Sequence, residues 1–260
     1  MLRWDNGDMN SGDNKTNDAR CIILAAGEFQ KEDLTAHGVT PGKEDFVIAC
    51  DAGLLNCDAI GVSPDLIVGD FDSGARIGAD FMDRIARIEE TDASRVLRLP
   101  VIKDDTDLMR AIKEGLKRGY RDFLLFGVLG GERFSLSYAA IQSLLYMKHH
   151  GANGMILTSD ARLWILENES MTFSGDPAGI LSVLALSERV EGLTLKGLQY
   201  ELIDATLTND FPLGVSNAFV EGRTAFVLVR AGMLLMIHET LFAERRDASL
   251  MHHFSIHDMI

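Results

Sequence analysis

The sequence predicts an α/β N-terminal domain with a mostly parallel, Rossmann-like sheet, followed by an all-β antiparallel, sandwich-like domain. From Cys21 to about Asp160, short apolar runs that end in Gly or Asp alternate with longer segments of helical period. This alternation is typical of a parallel sheet covered by helices. Beyond Asp160 the hydrophobic period changes to two, and Gly, Asn or Pro separate the short runs, which indicates antiparallel strands.

Six apolar runs in the first part of the chain have the length and composition of buried strands. They cover residues 21–27, 45–51, 65–70, 96–102, 122–127 and 154–160. Apolar residues at helical spacing predict one helix over residues 107–118, with Thr106 as its N-cap, and a second over residues 137–149. We therefore expect helices to connect the strands and to pack on the sheet.

Short runs of period two predict the strands of the second domain. They cover residues 161–168, 171–175, 179–187, 192–197, 198–204, 224–232 and 233–239. The expected organisation is a disordered lead at 1–19, the α/β domain at 20–158, the β domain at 159–240 and a C-terminal tail at 241–260. The lead is rich in Asn, Asp, Gly and Ser and has no apolar segment like that of a signal peptide.

Composition excludes several classes of partner. The 260 residues carry a formal net charge of −14, which works against binding to nucleic acid or to anionic membranes. No stretch of eighteen apolar residues occurs, so no membrane-spanning helix is predicted. The cysteines Cys21, Cys50 and Cys57 form no C-x-x-C pair, and two lie in apolar runs, which favours a reducing, cytoplasmic location.

The segment Gly69–Ser73 has the sequence G-D-F-D-S and follows an apolar strand directly. In an extended segment Asp70 and Asp72 project to the same side, so they can present two oxygen donors at the carboxyl edge of the sheet. Mg²⁺ prefers such hard ligands. The alternative is a turn in which one Asp caps the following backbone and the other is solvated.

Two further acidic groups follow predicted strands. Asp51 ends one strand, while Asp105 and Asp107 lie between another strand and a helix. Carboxylates at a helix start also complement the helix dipole, which is the alternative for these two residues. However, three acidic groups at one sheet edge repel one another unless a cation compensates, so together they favour a metal site.

Phosphate-binding groups are expected near this edge. Lys103 either pairs with the neighbouring carboxylates or reaches a phosphate, and both interpretations remain open. The loop over residues 127–133 joins a strand to a helix and contains Gly130, Gly131 and Arg133. Its glycines allow close backbone approach, the helix offers free N–H groups, and the arginine can bind phosphate oxygens in a bidentate manner.

Taken together and in this order, the motifs resemble those of the thiamine pyrophosphokinase family. The matching segments are Asp51-Ala52-Gly53, residues 69–73, Asp105-Thr106-Asp107, residues 127–133, Gly197-Leu198-Gln199-Tyr200 and Gly214-Val215-Ser216-Asn217. The resemblance covers about residues 20–240. It implies an α/β catalytic domain followed by a β domain, and a homodimer.

The resemblance also implies a reaction, in which the pyrophosphoryl group of ATP moves to the hydroxyethyl oxygen of thiamine and AMP is released. The residues implied to hold Mg²⁺ are Asp70, Asp72 and Asp107, which together with Lys103 form the implied catalytic set. The residues implied to line the nucleotide site are Asp51, Thr106, Gly130, Gly131 and Arg133. The residues implied to contact thiamine are Ser135, Ser216, Asn217 and Tyr200.

The chain departs from the family pattern after the arginine. The family usually has an Asp-His pair there, whereas this chain has Ser135-Leu136, with Glu132 inserted before the arginine. Three hypotheses follow: a thiamine pyrophosphokinase, a pyrophosphokinase or nucleotide-sugar transferase with another acceptor, and a thiamine-binding homologue without turnover. The retained aspartates favour the enzymes, and the replaced pair favours the non-catalytic homologue.

Overall fold

The structure is a computed structural model that describes residues 19–72, 78–102, 104–131, 133–175 and 177–240. These residues divide into two units, with the division between Ile165 and Leu166. Of the predicted lead, the structure describes only Ala19, which is buried. The predicted tail at 241–260 lies outside the described residues, which end at Thr240, directly after the last strand. The domain boundary predicted between residues 158 and 159 stays a prediction.

Unit 1 is built on a parallel sheet. Its strands are β1 (Cys21–Leu24), β2 (Phe46–Cys50), β3 (Leu66–Gly69), β4 (Val96–Arg98), β5 (Asp122–Phe126) and β6 (Asn153–Leu157), in the spatial order β6-β5-β1-β2-β3-β4. A seventh strand, β7 (Ala161–Glu167), runs antiparallel to β6. The strand order reverses between β1 and β5, and ligands of open α/β sheets bind at the carboxyl ends of strands near such a point.

Helices connect the strands of unit 1. They are α1 (Glu32–Thr35), α2 (Gly53–Ala59), α3 (Ala79–Thr91), α4 (Asp107–Lys117) and α5 (Phe134–His149). The predicted N-cap of α4 is confirmed, because the Thr106 side chain accepts a hydrogen bond from the N–H of Met109 at 3.1 Å. This cap fixes the residue at which α4 begins.

Helix α4 lies unusually close to the sheet at Gly115. A Cβ atom on this residue would come within 2.6 Å of the Phe123 ring in β5 and 2.8 Å of the Cys21 sulfur in β1. Ala111 and Ile112 on the same helix are fully buried. The helix is therefore seated against β1 and β5 by a contact that a larger side chain would prevent.

Unit 2 contains two antiparallel sheets. Its strands are β8 (Ser170–Phe173), β9 (Ile180–Ala185), β10 (Arg189–Lys196), β11 (Leu202–Thr208), β12 (Gly214–Ala218), β13 (Ala225–Leu228) and β14 (Met233–Glu239). One sheet has the order β12-β9-β14, and the other has the order β11-β10-β13-β8. The predicted fold class is confirmed: a mostly parallel α/β unit precedes an antiparallel β unit.

Aromatic side chains join the two sheets of unit 2. The ring of Phe173 on β8 lies 5.2 Å from that of Phe219, and His238 on β14 lies 5.1 Å from Phe219 and 6.3 Å from Phe173. Nε2 of His238 lies 2.8 Å from the carbonyl oxygen of Ala178, so the buried imidazole also has a polar partner. These contacts give unit 2 the face-to-face packing of a sandwich.

Some predicted element boundaries are wrong. The strand predicted over 96–102 ends at Arg98, since Pro100 cannot donate to a sheet ladder. The strand predicted over 198–204 begins only at Leu202, because residues 197–200 form a turn. Helix α5 begins at Phe134, three residues before the predicted start. Helices α1, α2 and α3 and strand β12 were not predicted.

Candidate active site

The loops that follow β2 and β3 bring Asp51 and Asp70 together. Asp51 has a left-handed backbone conformation (φ 48°), and its N–H donates to the carbonyl oxygen of Val68 in β3 at 2.9 Å. Phe71 is also left-handed (φ 57°), and its N–H donates to Oδ1 of Asp51 at 3.3 Å. This conformation is costly for bulky residues, so the two loops hold strained backbone where the carboxylates meet.

Gly69 permits the close approach of these loops. A Cβ atom there would lie 1.9 Å from Oδ1 of Asp51 and 3.2 Å from the Phe71 ring. The first distance is far below van der Waals contact with a carboxylate that is itself held by the backbone. The glycine of the G-D-F-D-S segment is therefore required by the Asp51 side chain and not by its own backbone angles.

Asp107, the first residue of α4, completes a carboxylate cluster with Asp51 and Asp70. One oxygen from each of these three side chains lies within 4.8 Å of the other two. The Oδ1 atom of Asp107 is buried. Three loops that are separate in sequence thus present carboxylate oxygens to one point at the carboxyl edge of the sheet.

The chemistry of the cluster suits a hard divalent cation. Carboxylate oxygens are the ligands that Mg²⁺ and Ca²⁺ prefer, and Mg²⁺ in particular is often held by one or two carboxylates together with substrate phosphates. Each carboxylate is half-buried, so solvent can still complete a coordination shell. The residues present therefore fit a magnesium ion.

The pKa of Asp51 is raised by its position in the carboxylate cluster. Burial raises the pKa of Asp51, and a hydrogen bond to the Asp107 carboxyl group and the charge of that group raise it further, to about 7. The N–H of Phe71 opposes this shift only in part. Without a cation, Asp51 therefore keeps its proton up to near neutral pH, and a bound cation would replace that proton.

The thiols near the cluster have no catalytic character. Cys50 is fully buried next to Asp51, and its sulfur lies 3.8 Å from the backbone carbonyl oxygen of Asp107. Burial raises the pKa of Cys50 well above its usual range and that of Cys57 to about 12. Since only a thiolate is a good nucleophile, these cysteines are structural, and all three cysteines of the chain are free.

The other residues predicted at this edge are placed differently. Asp72 is exposed, and its N–H donates to Oδ1 of Asp70 at 3.2 Å, so it lies beside the carboxylate cluster. Thr106 caps α4 and is exposed next to Asp107. Lys103 lies outside the described residues. Glu132, the inserted residue of the glycine loop, lies outside them as well.

The glycine loop after β5 contains two consecutive left-handed residues, Gly130 (φ 77°) and Gly131 (φ 79°). The carboxylate of Glu28 lies beneath it and accepts a hydrogen bond from the N–H of Gly131 at 3.3 Å. Arg133 and Ser135 follow at the start of α5, and both are exposed. The loop thus presents backbone N–H groups and a guanidinium group at the same edge of the sheet.

The residues predicted to contact thiamine in unit 2 form a small motif. The Asn217 side chain accepts from the N–H of Tyr200 at 2.9 Å and donates to its carbonyl oxygen at 2.6 Å. Asn217 is buried, whereas Ser216 (φ 61°) and the Tyr200 side chain are exposed. Asn217 therefore fixes the turn before β11, and Ser216 and Tyr200 are the members available to a ligand.

The position of Asp51 was predicted only in part. The sequence placed it at the same sheet edge as the other acidic groups and the resemblance assigned it to the nucleotide site, whereas the structure brings its carboxylate within 4.8 Å of those of Asp70 and Asp107, because β2 and β3 are neighbours. Glu28 was not considered, because its contact with Gly131 spans 103 residues of sequence. The order of the strands, which is the information that both cases needed, cannot be read from local patterns.

Comparison with known proteins identifies two matched regions. A family model described as the catalytic domain of thiamin pyrophosphokinase matches residues 41–156. A second, described as the vitamin B1 binding domain of thiamin pyrophosphokinase, matches residues 174–234. The first lies within unit 1 and the second within unit 2, and together they span more than half of the chain.

Individual relatives agree with these matches. The thiamine pyrophosphokinase of Bacillus subtilis (strain 168) is 28% identical over 201 residues, which cover 74% of this chain and 86% of that protein. A crystal structure of the Bacillus subtilis enzyme gives a TM-score of 0.71 at 24% identity, covering 85% of this chain and 99% of that one. The crystal structure of yeast thiamin pyrophosphokinase gives a TM-score of 0.65 at 14% identity, and the match covers 88% of this chain and 89% of that one. At these identities the two structures show a shared fold.

The raised pKa of Asp51 predicts how stability depends on pH without divalent cations. The folded state keeps the proton up to about pH 7, whereas an unfolded aspartate loses it near pH 3.9, about the model-peptide value. The folded state thus binds more protons between these values, and the free energy of unfolding should fall as pH rises through this window. In EDTA, we expect the free energy of unfolding, measured by urea denaturation, to fall less between pH 5 and pH 8 in Asp51→Asn than in the unaltered protein.

Asp80→Asn is the matched control for this measurement. Asp80 is exposed in the first turn of α3, so its removal should preserve the pH dependence of the unaltered protein. An Asp51→Asn protein with the same pH dependence as Asp80→Asn would contradict the raised pKa of Asp51.

Proposed function

Because the chain belongs to the thiamine pyrophosphokinase family, we propose that it transfers the pyrophosphoryl group of ATP to thiamine, giving thiamine diphosphate and AMP. The hydroxyethyl oxygen of thiamine forms a bond to the β-phosphorus, and the bond between that phosphorus and the oxygen of the α-phosphate breaks. AMP leaves with that oxygen, and the hydroxyl proton of thiamine is released. The reaction contributes to thiamine diphosphate biosynthesis.

The observation that carries this proposal is the carboxylate cluster inside the region matched by the catalytic-domain model. Asp51, Asp70 and Asp107 all fall within residues 41–156. A kinase must bind a highly charged triphosphate, and a protein with net charge −14 can do so only through a local concentration of positive charge. The carboxylate cluster is the described feature best suited to recruit such charge as a metal ion.

Magnesium is the proposed cofactor. Asp51, Asp70 and Asp107 would hold it, and Asp72 lies close enough in sequence to contribute an oxygen. When bound, Mg²⁺ would neutralise triphosphate charge and favour departure of AMP. The protein itself supplies the rigid placement of the oxygens through the left-handed residues at 51 and 71 and through the capped start of α4.

ATP is the proposed co-substrate. We place its phosphates between the carboxylate cluster and the glycine loop, where Gly130 and Gly131 can offer backbone N–H groups and Arg133 a guanidinium group. Lys103 and Thr106 belong to the same proposed nucleotide site. In the structure Glu28 accepts the N–H of Gly131, so a phosphate that used this donor would displace the Glu28 carboxylate.

Thiamine is the proposed acceptor, with Ser135, Ser216 and Tyr200 as contacting residues. Ser216 and Tyr200 are exposed within the region matched by the vitamin B1 binding model, and an aromatic ring is suited to cover a heterocycle. Asn217 is assigned a positioning role, because both ends of its carboxamide bind the Tyr200 backbone. Ser135 stands where the family usually has Asp and supplies a hydroxyl group.

A cytoplasmic location is part of the proposal. The three buried cysteines are free, as expected of a protein in a reducing compartment that also supplies ATP. None of the helices that the structure describes combines the length and the apolar composition needed to cross a bilayer. The overall negative charge argues against partnership with nucleic acid or with anionic membranes.

Activity is the first test. Incubated with ATP and Mg²⁺, the protein should release AMP only when thiamine is present, and thiamine diphosphate should appear in equal amount by chromatography. Asp107→Asn should lower kcat by at least about a hundredfold, because it removes a member of the carboxylate cluster that acts on the triphosphate. Asp80→Asn removes an exposed carboxylate that is not a member of the cluster, and it should keep full activity.

Two outcomes would contradict this proposal. AMP release that does not depend on thiamine would point to another acceptor, including water. Full activity of Asp107→Asn with an unchanged Mg²⁺ requirement would show that the carboxylate cluster does not serve the reaction.

The acceptor site predicts a separation of the two substrates. Ser216→Ala should raise KM for thiamine about fivefold, as expected for loss of about one hydrogen bond, and leave KM for ATP unchanged. Ser170→Ala, an exposed serine at the start of β8, should alter neither constant. A parallel rise of both constants in Ser216→Ala would mean that Ser216 does not contact thiamine.

We also propose a homodimer, supported by apolar side chains on unit 2. Ile203, Phe211, Leu213 and Val215 are all exposed and lie on β11, on β12 or on the connection between them. Within unit 2 both strands are the terminal strands of their sheets, and exposed apolar groups at such places are typical of interfaces.

Sedimentation velocity tests the dimer. The protein should sediment as a dimer, and Ile203→Asp should shift it towards the monomer, because a carboxylate would then be buried in an apolar contact. Thr206→Asp, at an exposed polar position of the same strand, is the control and should remain dimeric. A monomeric unaltered protein at micromolar concentration would contradict the proposal.

A further inference from the structure

Strand β12 carries an extra residue where it pairs with β9. Residues 214–217 of β12 span the same stretch of the ladder as residues 181–183 of β9, so Val215 and Ser216 together face the single residue Ser182. Two residues on one strand opposite one residue on the other form a β-bulge. Bulges redirect side chains and are common beside binding sites, and this one contains a residue that is proposed to contact thiamine.

The bulge determines which way the side chains of β12 point. In a regular strand, exposed and buried residues alternate. In β12, Val215 and Ser216 are both exposed, whereas Asn217 and Ala218 are both buried. The extra residue therefore allows Ser216 to face outwards while Asn217 stays inside unit 2.

Ser216 has a backbone conformation that its surroundings must maintain. It is left-handed (φ 61°), which is costly for residues other than glycine. Glycine is common at left-handed bulge positions for this reason. A serine persists there only if neighbouring groups hold it in place.

Ser182 supplies such a contact. A bulge disrupts the backbone ladder at its extra residue, and here the N–H of Ser216 donates instead to Oγ of Ser182 at 3.0 Å. Ser182 is 4% exposed, so its hydroxyl group is fixed by the packing around it. The hydrogen bond therefore stabilises the left-handed conformation of Ser216 from inside the sheet.

The two ends of the bulge have anchors of their own. Asn217 binds the Tyr200 backbone through both ends of its carboxamide, at 2.9 and 2.6 Å. Gly214 lies so close to β9 that a Cβ atom there would come within 2.4 Å of the Val183 carbonyl oxygen. The hydrogen bond to Ser182 therefore controls the middle of the bulge, because the ends are held independently.

We propose that Ser182 is a positioning residue for the thiamine site, which holds Ser216 in the bulge so that its hydroxyl group faces the acceptor. This inference rests on the proposed function, in which Ser216 contacts thiamine, and deepens it. Ser182 is buried, so it acts through Ser216 and not by a contact of its own. Without the Ser182 hydroxyl group, Ser216 relaxes towards an extended backbone and its side chain leaves the acceptor.

Titration calorimetry with thiamine alone and with Mg-ATP alone tests the proposal. Ser182→Ala should weaken thiamine binding about fivefold, as Ser216→Ala should, because either variant removes the same contact. Affinity for Mg-ATP should stay within about twofold. The double variant Ser182→Ala/Ser216→Ala should bind thiamine within about twofold of Ser216→Ala, since Ser182 then has nothing left to position.

Ser187→Ala is the matched control. Ser187 lies between β9 and β10, and its Oγ accepts the N–H of Met233 at 3.0 Å, the same distance as in the Ser182 contact. Its loss removes an equivalent hydrogen bond from unit 2 and leaves the bulge intact, so thiamine affinity should stay within about twofold. Thermal midpoints of the variants show whether they are equally folded.

Ser182→Cys provides a second variant where Ser182→Ala is too unstable for titration. Its sulfur keeps the shape of the side chain and is a weak acceptor, so it should also weaken thiamine binding and spare Mg-ATP.

Three results would overturn the positioning role. They are unaltered thiamine affinity in Ser182→Ala and Ser182→Cys, a further fivefold loss in the double variant beyond that of Ser216→Ala, and an equal loss of thiamine affinity in Ser187→Ala. Since binding is measured without turnover, the two proposals can fail separately. Thiamine binding that depends on Ser182 as expected, without formation of thiamine diphosphate, would overturn the reaction and leave the role of Ser182 standing.

Discussion

Repulsion among the three carboxylates at the edge of the parallel sheet is the constraint on which unit 1 depends. At the separation of 4.8 Å or less, two ionised groups repel by about 3 to 4 kcal/mol if the effective dielectric constant is about 20. The fold opposes this repulsion with backbone geometry: two left-handed residues, a glycine without which the loops collide, and a capped helix that starts at Asp107. The three carboxylates are thus preorganised to bind a cation.

This preorganisation explains how an acidic protein can bind an anionic substrate. Its net charge of −14 repels a triphosphate at long range, and the described part of the site offers few cations of its own. Arg110 is engaged by Glu114 and Lys113 by Asp105, so neither adds much net positive charge. The acidic carboxylate cluster can nevertheless serve phosphate binding, because a cation that binds three carboxylates can still attract phosphate oxygens.

Local patterns were sufficient to predict the fold class and most strands of the sheet, because buried parallel strands are apolar throughout and end at Gly or Asp. The N-cap at Thr106 was predicted for a similar reason, since a cap is a contact between residues three apart. The role of Asp51 and the contact between Glu28 and Gly131 depend on which strands are neighbours. The turn at residues 197–200 was mistaken for a strand because it is held by Asn217, which is distant in sequence.

Gly115 has a consequence that reaches beyond packing. It lies eight residues from Asp107 on the same helix, about 12 Å along the axis, and a helix of this length moves as a rigid rod. Alanine at this position would improve helix propensity by about 1 kcal/mol, yet its methyl group would push α4 away from Phe123 and Cys21. That displacement would be transmitted to the carboxylate at the other end. The position of Asp107 therefore depends on a residue eight positions away along α4, and a search limited to the carboxylate cluster would overlook it.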